Sequence, residues 1–417
     1  MEKGKTILSE DWAVNVIGLG IIFLAVFGFS FSSPDIKWET WADLTQNILS
    51  VSNLSKFLLQ FIFVYVAAII GFALTGKPIK HIAIGFPAVY LLTALALIIT
   101  GSSAVSYLKL EVVIISLLIG LLISNFFKVP GWLQKSLSTE FFVKIGLVLL
   151  GTGIIFGDIL KAGGLGLAQA LIVVVSVWYF AYWVCKKLKV DNEMTMMLAS
   201  AVSICGVSAA IATAGAIKGD PKKLSYTISL VLIIAIPMMI GMPYLAEYMG
   251  LSDEVTGAWL GGTIDTSGAV VASGTLAGET ALKISTIVKF SQNVLLGIAA
   301  FAISVYWTYT NQAKEDGIPE KPTLGVIWER FPKFVLGFMI ASLLFSFVFS
   351  AETITEIKGG LKELRDFWFA LAFISIGLET KFSDLFSYEN RKPLQAFLIA
   401  QTFNVILTLG VSYVLFG

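Results

Sequence analysis

Apolar runs long enough to cross a lipid bilayer recur along the whole chain, and no other feature constrains its fold as strongly. A spanning helix needs about 20 mainly apolar residues. Segments 11–32, 56–76, 82–100, 109–127, 140–157, 164–185, 193–217, 224–248, 254–277, 284–308, 332–350, 364–380 and 394–416 come close to that requirement. In lipid every backbone N–H and C=O must be satisfied within the protein, so such runs become helices. The expected fold is an all-α polytopic membrane protein, multi-pass in the bacterial inner (plasma) membrane, with the lipid bilayer as its surroundings. Two of the thirteen segments are interrupted by glycine, and interrupted segments can be re-entrant, so eleven to thirteen full crossings are expected. Only 14% of the 417 residues are charged, against about 25% in ordinary soluble domains.

The same balance excludes several functions. A net charge of +1 gives no pull toward nucleic acid. Cys185 and Cys205 lie in or beside apolar runs and form no disulfide or metal framework, and the single histidine, His81, sits in a Lys/Pro-rich turn. There is no phosphate-binding glycine loop and no paired-histidine metal motif. No cofactor and no enzyme chemistry are expected. The loops leave no room for a soluble domain, so active transport would be secondary. Lysines and arginines favour a cytoplasmic N-terminus by the positive-inside rule, though one re-entrant segment would reverse half of that bias.

Two stretches stand apart from the apolar background. Trp259–Gly278, WLGGTIDTSGAVVASGTLAG, carries four glycines before its final residue and one acid, Asp265. Ser203–Asp220, SICGVSAAIATAGAIKGD, has a similar small-residue character. Each glycine costs about 1 kcal/mol against alanine in a helix interior, so both read as breaks followed by half-helices. A half-helix start offers unpaired N–H groups and a partial positive charge, a ready anion site. Ser203, Cys205, Gly206 and Ser208 on one stretch, and Thr266, Ser267 and Gly268 on the other, are the candidate anion contacts. Lys289 falls near mid-bilayer, about 13 Å along its helix, and Asn293 shares its face one turn later. A buried ammonium needs a counter-charge or a cavity, and Asp265 is the candidate partner and ion-coupling residue. Gln292 is expected to point elsewhere, Lys144 to snorkel toward the interface, and Gln169, Gln401 and Asn404 to bond neighbouring helices. The competing structural reading is small-residue helix packing with a buried ion pair.

Two internal echoes accompany these stretches. Leu150–Asp158 aligns with Ile376–Asp384, and with all segments crossing the two copies run in opposite directions. Ser203–Asp220 aligns with the stretch around Ser267–Glu279. Both cannot belong to one unpermuted inverted repeat if every segment crosses.

The combination LLGTGIIFGDIL, SICGVSAAIATAGAIKGD, GGTIDTSGAVVASG and KISTIVKFSQNVLLG resembles the YeiH-type sulfate exporter family of bacterial membrane proteins, from about Leu110 to Gly417. More distantly, CGVSAAIATAGAIKGDPKKLSYTISLV is similar to the bile-acid/sodium symporter group, with Gly206-Val207-Ser208 in place of its Pro-Gly-Gly. The resemblances imply an inverted-repeat transporter with discontinuous crossed helices, a break at Cys205–Ser208, and a sulfur-oxyanion cargo. One integral unit, 1–417, is expected, with 1–108 as peripheral N-terminal helices and 109–417 as core and panel helices. The expected function is secondary export of a small inorganic anion such as sulfate, coupled to H⁺ or Na⁺, in a monomer or homodimer. The alternatives are a passive anion channel and a transporter of an organic anion.

Overall fold

The computed structural model describes residues 8–29, 33–107, 110–311, 324–383 and 391–417. Its principal helices are α1 (Glu10–Val26), α2 (Val51–Leu74), α3 (Ile79–Thr100), α4 (Val112–Phe126), α5 (Thr139–Leu150), α6 (Phe156–Lys187), α7 (Asn192–Ser200) and α8 (Val207–Ile217). They continue as α9 (Pro221–Tyr248), α10 (Asp253–Thr263), α11 (Ser267–Ala277), α12 (Glu279–Asn311), α13 (Phe334–Leu343), α14 (Ala351–Glu379) and α15 (Lys392–Phe416). Seven of the described helical segments are long and apolar enough to cross a membrane. The protein is an all-α polytopic membrane protein. It divides into two units, Met1–Gly157 with Lys333–Lys381, and Asp158–Pro332 with Phe382–Gly417.

In the first unit α5 and α14 are antiparallel. Thr139 donates to Glu379 Oε2 at 3.0 Å at one end, and Gly146 packs on the Phe369 ring farther along. Lys144 does not snorkel. Its ammonium pairs with Glu10 Oε1 at 3.2 Å and Asp11 Oδ1 at 3.0 Å, counter-charges that the distant first turn of α1 supplies. The first sequence echo has a structural counterpart here. Gly151, past the end of α5, abuts the Phe338 carbonyl of α13, and its aligned partner Gly377 abuts Leu117 and Gly120 of α4. Three residues on, Ser342 Oγ donates to Ile154 O at 2.6 Å, and Ser124 Oγ donates to Thr380 O at 2.8 Å. The aligned Asp384 lies outside the described residues.

In the second unit both interrupted segments turn back instead of crossing. Helix α7 continues through a π-helical turn, Ala201–Cys205, to Gly206 at φ +59°, and α8 returns from there. At the base of this hairpin Lys223 holds Asp191 at 2.7 Å and Glu193 at 3.1 Å, and the Asp220 N–H donates to Glu193 Oε2 at 3.1 Å. The start of α7 and the end of α8 therefore lie together. Burial pushes the Asp191 carboxyl up, but Lys223 and the Met194 and Glu193 N–H groups outweigh that and hold it below its usual range.

The second hairpin follows the same logic. A Cβ on Gly257 would lie 2.8 Å from Ala281 O, and one on Gly261 would lie 2.4 Å from Ser285 O, so α10 runs parallel to α12 with glycine allowing the backbones to touch. Ser267 at the start of α11 meets Asn293, and Gly274 farther along meets Leu282 and Ser285, so α11 runs antiparallel to α12. Each of α8, α10 and α11 has 11 residues, about 16 Å, roughly half of a ~30 Å hydrocarbon core.

Helix α9 leads from the base of the first hairpin to the base of the second, so the hairpins enter this unit from opposite ends. Helices α6 and α15 are antiparallel too: Ser412 Oγ donates to Gln169 Oε1 at 3.3 Å, and Phe180 stacks on Phe403 at 4.0 Å between centroids. Two re-entrant hairpins remove the conflict between the echoes. Within each unit the echoed elements run in opposite directions, α5 against α14 in the first and the two hairpins in the second.

Candidate functional site

The two hairpin tips meet inside the second unit. A Cβ on Gly206 would lie 3.1 Å from Asp265 Cβ and 2.6 Å from Val231 Cγ1. By helix geometry the first N–H groups of α8 and α11 lack intrahelical acceptors. Thr266 Oγ1 accepts one of them, from the Ala269 N–H at 3.2 Å. Gly206, at the start of α8, brings no side chain to do the same. The opposite termini, the carbonyl ends of the first half-helices, are tied to side chains. Asn404 Nδ2 donates to Val202 O at 3.1 Å and to Thr263 O at 3.2 Å, one carbonyl from each hairpin. Gln401 Nε2 donates to Thr263 O at 3.0 Å.

Lys289 lies at the same level, 2% exposed. Its Nζ donates to Ile204 O at 2.8 Å and to Gln292 Oε1 at 3.0 Å. Gln292 Nε2 in turn donates to Gly262 O at 2.8 Å. The lysine thus grips the end of one hairpin directly and the other through an amide. Gln292 was expected to face elsewhere, but residues i and i+3 also share a helix face, and its reach completes the bridge. The parallel register of α10 on α12, 257 beside 281 and 261 beside 285, sets Asp265 level with Lys289. The carboxylate is 2% exposed, and its Oδ2 has no hydrogen-bond partner among the described residues.

The remaining candidates are placed unevenly. Asn293 Nδ2 donates to Ser267 Oγ at 3.3 Å, so those two are brought together. Gly268 and Cys205 are buried at the two turns. Ser203 donates back to Ala199 O at 2.7 Å within its own helix, and Ser208 is exposed on α8; neither joins the cluster around Lys289. Gln401 and Asn404 bond neighbouring helices as expected, and the carbonyls they take are those at the hairpin tips.

Residues 84–396 match the family described as Conserved hypothetical protein 698. The chain belongs to this family. Its curated relatives are UPF0324 membrane proteins. One from Rhodopirellula baltica is 41% identical over 369 residues, 85% of this chain and 67% of the relative. One from Nitratidesulfovibrio vulgaris is 36% identical over 362 residues, 83% of this chain and 62% of the relative. One from Nitrosomonas europaea is 32% identical over 310 residues. The chain spans about two thirds of the length of these relatives. No solved structure matches it. The match to the UPF0324 family covers both hairpins and α12, while Gln401 and Asn404 lie just beyond it.

Asn404→Leu should separate framework from ligand in this UPF0324 protein. It strips the side-chain donor from Val202 O and one of two from Thr263 O, which keeps Gln401 Nε2, and a buried group left unsatisfied costs about 1–3 kcal/mol. The expected result is a melting temperature several degrees lower; an unchanged melting temperature would show that the tips are held by other contacts.

Proposed function

We propose that the protein is a secondary transporter that exports a small inorganic oxyanion, sulfate or a related sulfur oxyanion, across the bacterial inner membrane. The reading rests on one observation: two half-helix starts from oppositely directed hairpins converge beside a buried ammonium. The Gly206 N–H is taken by Ala201 O, and the N–H groups at Val207–Ser208 and Ser267–Gly268, with Lys289, offer donors and positive potential without a metal or cofactor. Ionised Asp265 would repel a dianion, so cargo and a neutralising cation or proton belong together at this place. Binding and release need no covalent chemistry, and the partners the mechanism requires are the bilayer, the small anion and the coupled cation or proton. The inverted hairpins supply two related halves, the arrangement from which alternating access is built.

Purified protein in liposomes should take up isotopic sulfate at a saturable rate, faster under an imposed H⁺ or Na⁺ gradient. Flux that grows linearly with sulfate and ignores both gradients would favour a passive channel. Absence of sulfate flux, with uptake of an organic sulfonate or carboxylate under the same gradients, would move the cargo class and leave the site.

A further inference from the structure

The five-residue turn Thr263–Ser267 is bordered by four buried oxygens that accept no hydrogen bond among the described residues: Thr263 Oγ1, Asp265 Oδ2, Asn293 Oδ1 and Gln401 Oε1. All four residues are at most 5% exposed. Buried polar atoms are satisfied in the great majority of cases, and an unpaired one costs about 1–3 kcal/mol. Four around one turn therefore call for a shared partner.

The chemistry of that partner follows from where the nearby donors go. Gln401 directs its NH₂ at Thr263 O, an acceptor only, which fixes its amide with Oε1 left over. Asn293 directs its NH₂ at Ser267 Oγ, leaving Oδ1. Lys289 is engaged by Ile204 O and Gln292 Oε1 and has no ion pair within 4.0 Å among the described residues, so it does not satisfy Asp265 Oδ2. Asn404 and the Gln292 amide donate to backbone carbonyls. A proton on Asp265 would satisfy Oδ2 and at most one of the other three oxygens. A small monovalent cation takes oxygen ligands of this kind and matches the single charge of Asp265, and it binds against the Lys289 ammonium held nearby on Ile204 O and Gln292 Oε1.

We propose that the tip of the second hairpin is a binding site for a small monovalent cation, with Asp265 as its charged ligand and Thr263, Gln401 and Asn293 as neutral ones. Hard cations of this kind take oxygen ligands, and loss of the site in the absence of the ion would loosen the tip. This deepens the transport reading by naming the coupling species, and it stands on binding that can be measured without transport.

Thermal melting of the purified full chain tests it, with sodium as the probe at constant ionic strength against potassium and choline. The wild type should melt about 3–6 °C higher in saturating sodium than in choline. Asp265→Asn should melt close to the wild type in choline and show no rise with sodium. Thr263→Val, which removes one oxygen and keeps the shape, should shift the half-saturating sodium concentration upward by about tenfold, the loss of one ligand contact. Equal wild-type melting in all three salts would overturn the proposal, as would a full sodium response in Asp265→Asn. If sodium stabilises the wild type but no anion flux is found in liposomes, the cation site stands and the cargo assignment fails alone.

Discussion

Lys289→Gln is expected to leave the protein folded and to lower sulfate flux at subsaturating concentrations by about 10- to 150-fold. A glutamine can still donate toward Ile204 O, the contact that Lys289 makes at 2.8 Å, so the substitution removes the charge more than the hydrogen bond. A charge-assisted hydrogen bond is worth about 1.5–3 kcal/mol, and each 1.4 kcal/mol is tenfold in an equilibrium. Lys289→Ala is the harsher partner experiment. It leaves Ile204 O and Gln292 Oε1 without their donor in a site only 2% exposed, so stability falls as well as flux. The measurement is initial uptake in liposomes, normalised to folded protein by size-exclusion and melting. Wild-type flux in a well-folded Lys289→Gln would reduce the lysine to a brace between hairpins and remove the ammonium from the anion-binding mechanism.

The sequence carries much of this architecture in plain view and conceals one part of it. The helical segments are legible because the bilayer permits little else, and the two interrupted stretches are legible because glycine, serine and threonine displace leucine there. Lys289 and Asp265 stand out because ions are expensive in an apolar run. What hydropathy does not report is direction. A re-entrant hairpin and a crossing helix with a weak centre have the same composition, and only tertiary contacts, Lys223 on Asp191 or Gly257 on Ala281, show that both chains turn back. The two echoes pointed to that difference, since they conflict if every segment crosses and agree once the interrupted ones return.

The framework residues were hidden for another reason. Gln401 and Asn404 lie about 110 residues or more beyond Lys289 in the chain, on a helix with ordinary apolar neighbours. An amide in a membrane helix bonds some neighbour as a rule, and sequence spacing gives no hint that these neighbours are Val202 and Thr263. Gln292 was within reach of a local argument, three residues past Lys289. Ser203 shows the opposite error: its hydroxyl type suits an anion, but a serine in a helix readily bonds back to the carbonyl four residues earlier, and Ala199 O takes it.

Gly206→Ala should damage both stability and flux. The residue holds φ +59° with ψ −109°, a combination that a residue with a Cβ adopts only under strain. That strain costs about 1–3 kcal/mol. The added methyl would also lie 2.6 Å from Val231 Cγ1 and 3.1 Å from Asp265 Cβ, contacts between packed groups rather than loose chain ends. Overpacking of this kind typically costs a further ~1–3 kcal/mol. The first hairpin must then either change its turn or withdraw from the second, and both moves separate the start of α8 from Asp265 and Lys289. Loss of flux with a melting temperature lowered by several degrees is the expected outcome. Val231→Ala in the same chain tests the cause: by removing the closer contact it should recover part of the lost stability, leaving the dihedral strain behind. If Gly206→Ala instead folds and transports as the wild type does, the close meeting of the two tips is not a requirement of the working state, and the convergent-hairpin mechanism fails with it.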